Sequence, residues 1–250
     1  MRNTTPRRVR LASVILPVLM VVSAGCDIAM ADFKEKQSAE WSKTYELPAG
    51  GRFELNNVNG RINVLPGAGS TIEVKAEKTA RAASVEGARQ ALERVEIHES
   101  VTSSGVTVTT RVPQSGMFNG GNVQVRYTVR VPAGADVKFT TVNGGIEVSG
   151  LTGRLQLEAT NGGIKANAVS GYVDANTTNG GVEVDLAKLD KDGVKLGCTN
   201  GGIELHLPAE AAASIDARVT NGGIAVDGLR IDTESDPSKR RLSGLGNANR

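Results

Sequence analysis

The side chains of this 250-residue sequence that could bind a metal or form a catalytic pair are two histidines, two cysteines and 27 acidic residues. His98 and His206 lie far apart, and neither has a cysteine or a second histidine at the spacing of a zinc site. The glycine pairs of the chain are not followed by the lysine that a phosphate-binding loop requires. The sequence therefore predicts neither a metal site nor a bound cofactor.

Acidic and basic residues recur at regular spacing in the second half of the chain. Two carboxylates held beside a sugar can cleave a glycosidic bond, so a carbohydrate-active enzyme built on a β-helix is one interpretation. Such rows are also typical of a solvated sheet surface, where each cross-strand pair contributes about 0.2 to 1 kcal/mol. The sequence favours the second interpretation, and we assign no catalytic residue. The two rows are Glu147, Lys165, Glu183 and Glu204, and Asp174, Lys195 and Asp216.

These charges lie within a repeat whose centre is Asn-Gly-Gly. Successive copies are 18 or 21 residues apart, and a β-branched aliphatic residue follows each asparagine by three positions. On both sides of the motif apolar and polar residues alternate, which is the period of a strand with one buried face. Because Asn and Gly tolerate positive φ, the motif marks a sharp corner between two strands. The five corner asparagines are Asn143, Asn161, Asn179, Asn200 and Asn221.

A single strand–corner–strand unit is too small to fold alone, because its few aliphatic side chains cannot offset the entropy of ordering its backbone. The units must therefore stack. Since identical residues recur at equivalent positions, we predict an all-β fold in which the units form a parallel β-solenoid-like stack. An antiparallel hairpin array or sandwich is the alternative, because Asn-Gly also marks hairpin turns.

The repetitive β domain is predicted at residues 45–234. An earlier copy of the unit lies at Arg52–Val64, with Asn59 at its corner. The segment at about 71–131 is an insertion, and it contains an amphipathic helix that begins near Ser84, a suitable N-cap. The expected elements of the insertion are strands at 71–78, 105–112 and 122–131, the helix at 84–94, and an exposed loop at 113–121.

The repeated units resemble the bacterial family called "putative adhesin" domains, envelope proteins of unknown molecular function with reiterated Thr/Val-Asn-Gly-x-Ile/Val units. The similarity extends from Tyr45 to Asp232. It implies a solenoid-like β fold that is exported to the cell envelope and has no assigned catalytic residues. Family members often continue into another glycine-rich repeat, whereas this chain has Leu242–Gly246 there. We therefore expect residues 235–250, otherwise a loose tail, to cover the last unit.

Residues 1–25 have the features of a secretory signal peptide. Arginines without acidic residues precede an apolar run, Leu11–Ala24, which is interrupted by Pro17 and is too short to span a bilayer comfortably. Small residues then precede Cys26, and this junction resembles the lipobox of bacterial lipoproteins. The resemblance implies that Cys26 is lipidated and holds the protein on a membrane through a flexible tether, residues 26–44.

Two other fates of the leader stay open. Ser23 stands where the lipobox prefers an aliphatic residue, and cleavage after Ala29-Met30-Ala31 would release a soluble periplasmic or secreted protein that begins at Asp32. The second of these fates is an uncleaved leader that stays in the membrane as an anchor. The remaining cysteine, Cys198, falls on an inward-facing position, so we expect a buried small residue rather than a reactive thiol.

The charge balance excludes one class of partner. The net charge is +2, and the four arginines within the first ten residues account for this excess, so the rest of the chain lacks the basic surplus of a nucleic-acid-binding protein. The sequence predicts an exported, lipid-anchored envelope protein with a non-enzymatic binding, adhesin-like or scaffolding role. Its candidate partners are a glycan or an envelope protein. The alternatives are the carbohydrate-active enzyme and a periplasmic sensor or envelope-stress accessory protein.

Overall fold

The computed structural model describes residues 35–112, 122–188, 193–208, 214–228, 231–233 and 241–246. All of them belong to one compact unit, Ala31–Arg250. The other unit, Met1–Met30, lies outside the described residues. The predicted leader with Cys26 and the predicted loop at 113–121 are therefore not described either.

The described residues form two sheets and one helix, α1 (Val85–Glu93). Alternate residues of the strands point into one hydrophobic core. Sheet A contains, in spatial order, β1 (Glu35–Glu46), β4 (Thr71–Ala82), β7 (Asn122–Pro132), β3 (Ile62–Gly67), β9 (Ile146–Ser149), β11 (Ile164–Val169), β13 (Val182–Leu186), β15 (Ile203–His206) and β17 (Ile224–Asp227). Sheet B contains β18 (Ile231–Thr233), β19 (Arg241–Gly246), β16 (Ser214–Asn221), β14 (Val194–Asn200), β12 (Val173–Asn179), β10 (Leu155–Asn161), β8 (Asp136–Asn143), β2 (Arg52–Asn59), β6 (Gly105–Arg111) and β5 (Glu96–Thr102).

Each repeat passes from sheet B to sheet A at its Asn-Gly corner and so forms one coil. Neighbouring coils pair in parallel and in one register: Asn143 lies opposite Asn161 in sheet B, and Ile146 lies opposite Ile164 in sheet A. The predicted parallel β-solenoid-like fold is confirmed, and the repeats do not form a hairpin array. Identical residues lie opposite one another along the stack because each coil contains one repeat unit.

The early copy at Arg52–Val64 is a coil of the same stack. Its strand β2 pairs in parallel with β8, with Asn59 opposite Asn143, and β3 pairs in parallel with β9. The insertion adds a further coil on the other side, because β6 pairs with β2 and β7 pairs with β3, both in parallel. The insertion therefore extends the stack.

Helix α1 begins where the sequence predicts it. The hydroxyl of Ser84 accepts a hydrogen bond from the Gly87 N–H at 3.1 Å, which satisfies one of the free donors of the first turn. Ala88 and Leu92 are buried on one side of the helix, and both belong to the common core. No helix within the described ranges is long and apolar enough to cross a membrane.

Both ends of the stack differ from the prediction. Glu35–Glu46, which we placed mostly in a flexible tether, is strand β1, and it pairs with β4 along its whole length. Arg241–Gly246, which we placed in a loose tail, is strand β19, and it pairs antiparallel with β16. The last coil is thus covered in sheet B, as the missing repeat suggested. The physical reason is that a bare sheet edge leaves backbone N–H and C=O groups without partners.

The core between the sheets is mostly aliphatic, with four buried aromatic rings near the first coils: Tyr45, Phe53, Tyr127 and Phe139. Phe53 and Phe139 pack edge to face, with ring centroids 5.9 Å apart. Tyr127 is completely buried, and its hydroxyl shares a hydrogen bond of 2.6 Å with the hydroxyl of Thr110. The scarce aromatic residues are therefore used where the stack meets the inserted coil.

We expect alkaline pH to destabilise the fold through Tyr127. Burial raises the pKa of its phenol to about 12, although the hydrogen bond with Thr110 opposes the shift. Between the ordinary value of about 10 and about 12 the folded chain binds more protons than the unfolded chain. The free energy of unfolding therefore falls as the pH rises, by about 3 kcal/mol over this window. Denaturant titrations at several pH values should show this slope.

Tyr127→Phe is the control for the alkaline effect. The variant should be about 1 kcal/mol less stable at neutral pH, because the buried Thr110 hydroxyl loses its partner. It should also lose about 3 kcal/mol less than the parent chain between pH 10 and pH 12. Equal alkaline slopes for the two proteins would contradict the assignment.

Candidate functional site

The corner asparagines form a continuous ladder along one side of the stack. In five of them the side-chain Nδ2 donates to the Oδ1 of the asparagine in the preceding coil, at 2.7 to 3.0 Å. Asn59, at the start, donates to the backbone oxygen of Val123 at 3.3 Å. The ladder fixes the register of the coils at their surface. It brings together all the predicted corner residues: Asn59, Asn143, Asn161, Asn179, Asn200 and Asn221.

The first glycine after each asparagine is required by the corner. These glycines have φ between +122° and +158°, a region that other residues rarely adopt. The N–H of Gly162 donates to the backbone oxygen of Asn179 in the next coil. A Cβ on Gly162 would lie 2.0 Å from the backbone oxygen of Gly144. Any side chain here would push the coils apart.

The second glycine is not required in the same way. Its φ lies outside the left-handed region, and a Cβ on Gly181 would have its nearest neighbour at an ordinary 3.6 Å. In the first coil Arg61 occupies this position, so the corner accepts a side chain there. The glycines leave an open trough of about 840 Å³ on sheet A. We call it the glycine trough; its floor is Gly145, Gly163, Gly181, Gly202 and Gly223.

The peptide between the two glycines points its N–H outward. The backbone oxygen of Gly162 accepts a hydrogen bond from the Thr177 hydroxyl at 2.8 Å, and Thr177 is buried. Because no cis peptide occurs in the described chain, the N–H of Gly163 points away from the core. No backbone acceptor among the described residues receives it. The trough therefore presents outward donors at the coil spacing of about 4.8 Å.

Cys198 supports the corner of its coil from inside. Its side chain is buried, as the sequence predicts, and its Sγ donates to the backbone oxygen of Gly180 at 3.1 Å. Burial also raises the pKa of the thiol, so little thiolate is available at neutral pH.

We therefore expect Cys198 to resist alkylation in the folded protein. Iodoacetamide at pH 8, followed by peptide mass spectrometry, should leave Cys198 unmodified until denaturant is added. A peptide that contains an exposed cysteine, added to the same tube, is the control for reagent activity. Rapid modification of Cys198 without denaturant would show that the corner opens readily.

A second open surface lies on the outer face of sheet B. The strand neighbours of Gly197 are Asn176 and Arg218. Because the glycine has no side chain, it leaves a gap between the side chains of these two residues. The gap is part of a groove of about 510 Å³. We call it the Gly197 groove; its walls include Asn176, Lys195, Asp216 and Arg218, and its rim is the exposed row Thr160, Thr178, Thr199 and Thr220.

The charges around the Gly197 groove balance. Asp174 lies next to it, accepts a hydrogen bond from the Asn176 amide at 2.6 Å, and is 3.9 Å from the Lys195 ammonium. Arg218 is exposed and forms no ion pair within the described ranges. The charged residues that line the groove itself are two cations, Lys195 and Arg218, and two carboxylates, Glu158 and Asp216.

The charge row on sheet A does not have the environment of a catalytic carboxylate pair. The Lys165 ammonium is 2.6 Å from the Glu183 carboxylate, and the side chain of Glu183 is 41% exposed. Glu204 is 59% exposed and lies 3.2 Å from a ring nitrogen of His206. A general acid of a glycosidase needs a pKa raised by burial in an apolar pocket. These carboxylates are exposed and are paired with neighbouring basic groups.

The two histidines, at which we predicted no metal site, lie on the surface beside glutamates. His98 is 2.7 Å from the Glu96 carboxylate on the surface of β5. The described part of the chain contains no cluster of three or more His, Cys, Asp or Glu residues that could hold a metal ion.

The sequence reasoning found the asparagine ladder but missed the Gly197 groove. A signal existed, because Gly197 stands where other coils carry Thr, Glu, Asn or Arg.

Residues 53–250 match the model of the family described as "Toastrack DUF4097". Two solved structures are similar to the chain. A "putative cell adhesion protein" from Clostridium sporogenes is 14% identical, over 86% of this chain and 91% of its own, with a TM-score of 0.49. A "putative adhesin" from Bacteroides fragilis is 12% identical, over 76% and 97%, with a TM-score of 0.34. No curated protein sequence matches the chain significantly.

Proposed function

The chain belongs to the Toastrack DUF4097 family, and we propose that it is an exported, lipid-anchored envelope protein with a non-enzymatic binding or scaffolding role. The observation that carries the proposal is the asparagine ladder. It locks successive coils in one register, so the outward side chains of each coil repeat at about 4.8 Å. A surface of this kind can bind a repetitive partner by many weak, equivalent contacts.

Two features favour binding over turnover. The glycine trough and the Gly197 groove are both open to solvent, and they lie on opposite sides of the ladder. A catalytic site instead surrounds its substrate and excludes water. The carboxylates Glu183 and Glu204 are exposed on a flat row, where a solvated charge pair contributes little.

The proposed anchor rests on the sequence around Cys26. Because β1 begins at Glu35, the tether is shorter than the 26–44 segment that we predicted. Residues 26–34 can span at most about 30 Å when fully extended. The proposal therefore places the start of β1 within about 30 Å of the lipid.

Mass spectrometry of the mature N-terminus tests the anchor. The full chain, expressed in a bacterium and recovered from the membrane fraction, should begin with a diacylglyceryl-modified Cys26. Cys26→Ala should appear in the soluble or precursor fraction. A mature protein that begins at Asp32, or an unmodified Cys26 in the membrane fraction, would overturn lipidation.

Co-sedimentation tests the binding role. Purified protein without the leader should sediment with washed envelope fragments in a saturable manner, and it should release no reducing sugar from them. Protein unfolded by heat and cooled in the presence of denaturant is the control for nonspecific adhesion. Release of reducing ends would favour the carbohydrate-active enzyme, and failure to sediment would contradict the binding role.

A further inference from the structure

We propose that the Gly197 groove binds an uncharged polysaccharide chain that lies along the stack, across the strands of sheet B. This inference rests on the proposed binding function and adds the chemical class of the ligand and the surface that receives it. The groove is formed by residues of five neighbouring coils, so an extended chain with a short chemical repeat fits it better than a single small molecule.

The first argument is that the backbone of this strand does not require a glycine. Gly in a strand interior is unfavourable, because it loses more backbone entropy on folding than other residues and buries no side chain. Gly197 has a φ outside the left-handed region, and the only close neighbour of a Cβ would be the Asn176 side-chain oxygen, at 2.2 Å. Asn176 is exposed, and its amide can rotate away when it gives up its hydrogen bond to Asp174. The backbone therefore does not require the glycine, and the one side chain that crowds it can move.

The second argument is the charge of the walls. Among the side chains that line the groove, Lys195 and Arg218 contribute two positive charges, and Glu158 and Asp216 contribute two negative charges. An anionic polymer would meet the two carboxylates, and a cationic polymer would meet the lysine and the arginine. An uncharged ligand meets neither repulsion, and it can use all four groups through charge-assisted hydrogen bonds.

The third argument is the supply of donors and acceptors. Lys195, Arg218 and the Asn176 amide can donate, the carboxylates accept, and the rim threonines do both. A sugar hydroxyl also donates and accepts, so each unit of a polysaccharide finds partners in the groove. An extended peptide along the stack would present its backbone groups about every 6.8 Å, which does not match the coil spacing of about 4.8 Å.

Filling the gap is the most direct test. Gly197→Thr places a β-branched side chain, which strands favour, between Asn176 and Arg218. We expect an unchanged or slightly higher melting temperature and at least a tenfold loss of affinity for the ligand. Gly181→Ala changes the glycine trough on the opposite sheet and tests whether the ligand lies there instead. Arg218→Ala removes one donor without filling the gap and should weaken binding less.

The probe is a printed array of neutral, uronic-acid-containing and sulfated oligosaccharides, read with the fluorescently labelled protein. The proposal expects neutral chains to bind parent protein and Gly181→Ala but not Gly197→Thr. It is overturned if the acidic or sulfated chains bind best, if Gly197→Thr binds as well as the parent, or if only Gly181→Ala loses binding. A blank array combined with saturable sedimentation on envelope fragments would refute the polysaccharide and leave the binding role standing. A blank array without sedimentation would refute both.

Discussion

Gly180→Ala should destabilise the chain by about 2 to 6 kcal/mol, whereas its neighbour Gly181→Ala should have a much smaller effect. Gly180 has φ +145°, and a Cβ there would lie 2.4 Å from the backbone oxygen of Gly162. The backbone strain contributes about 1 to 3 kcal/mol, and the crowding between coils contributes a similar amount. Neither cause applies to Gly181, where the nearest atom is 3.6 Å away.

Urea unfolding of the two variants checks this prediction. The pair differs by one position in the sequence, so the composition and the unfolded chains are nearly the same. If the parent protein is marginally stable, Gly180→Ala will not fold at all, and its circular dichroism spectrum will show this directly. Equal stability of the two variants would mean that the corner does not have the backbone described here.

The second large effect is expected at the centre of the core. Ile164 is 1% exposed and lies between Ile146 and Val182 of the neighbouring coils. Ile164→Ala should lower the free energy of unfolding by about 2 to 5 kcal/mol, because it removes buried methyl groups and leaves a cavity between three coils. Thermal and urea unfolding measure the loss.

Lys165→Ala is the matched control, since the next residue of the same strand faces outward. It removes an exposed ion pair with Glu183, which is worth about 0 to 1 kcal/mol. Ile164→Val should fall between the two, at about 0.5 to 1.5 kcal/mol. A loss at Lys165 as large as the loss at Ile164 would contradict the inward and outward assignment of this strand.

Most of the stack could be predicted from the sequence because its signals are local and repeated. The Asn-Gly corner appears six times, and the alternation around Ile164 or Leu157 is the same in each coil. Helix α1 was also predictable, because Ser84 caps a short stripe of apolar residues. The register followed from identity alone, since shifting one coil by a single residue would turn its aliphatic face to solvent.

The ends of the stack could not be predicted in the same way. Strand β1 reads EKQSAEWSKTYE, with charges on many positions, and such residues are typical both of a tether and of an edge strand. Strand β5 is similarly polar. The pairing of β19 with β16 depends on the edge that β16 presents, which is a property of the whole stack rather than of Arg241–Gly246. Strands β1 and β19 form because the backbone groups at the edges of β4 and β16 need hydrogen-bonding partners.

The candidate site, too, could be predicted from the sequence only in part. The asparagine ladder was visible as a repeated residue, whereas the Gly197 groove depends on one exception within the repeat. Its meaning requires the strand neighbours of Gly197, namely Asn176 and Arg218, and these are 21 residues away on either side. A single deviation carries little weight in a sequence until the register is known.

Side-chain amide exchange of the asparagines, followed by NMR, tests the stacked and hydrogen-bonded corner most directly. The Nδ2 protons of Asn161, Asn179 and Asn200 should exchange with solvent at least tenfold more slowly than those of Asn167, whose amide forms no side-chain hydrogen bond within the described chain. Slow exchange along the corner is the result that the ladder predicts. Exchange of all these amides at the rate of Asn167 would show that the coils are not joined there, and the surface proposed for binding would lose its fixed spacing.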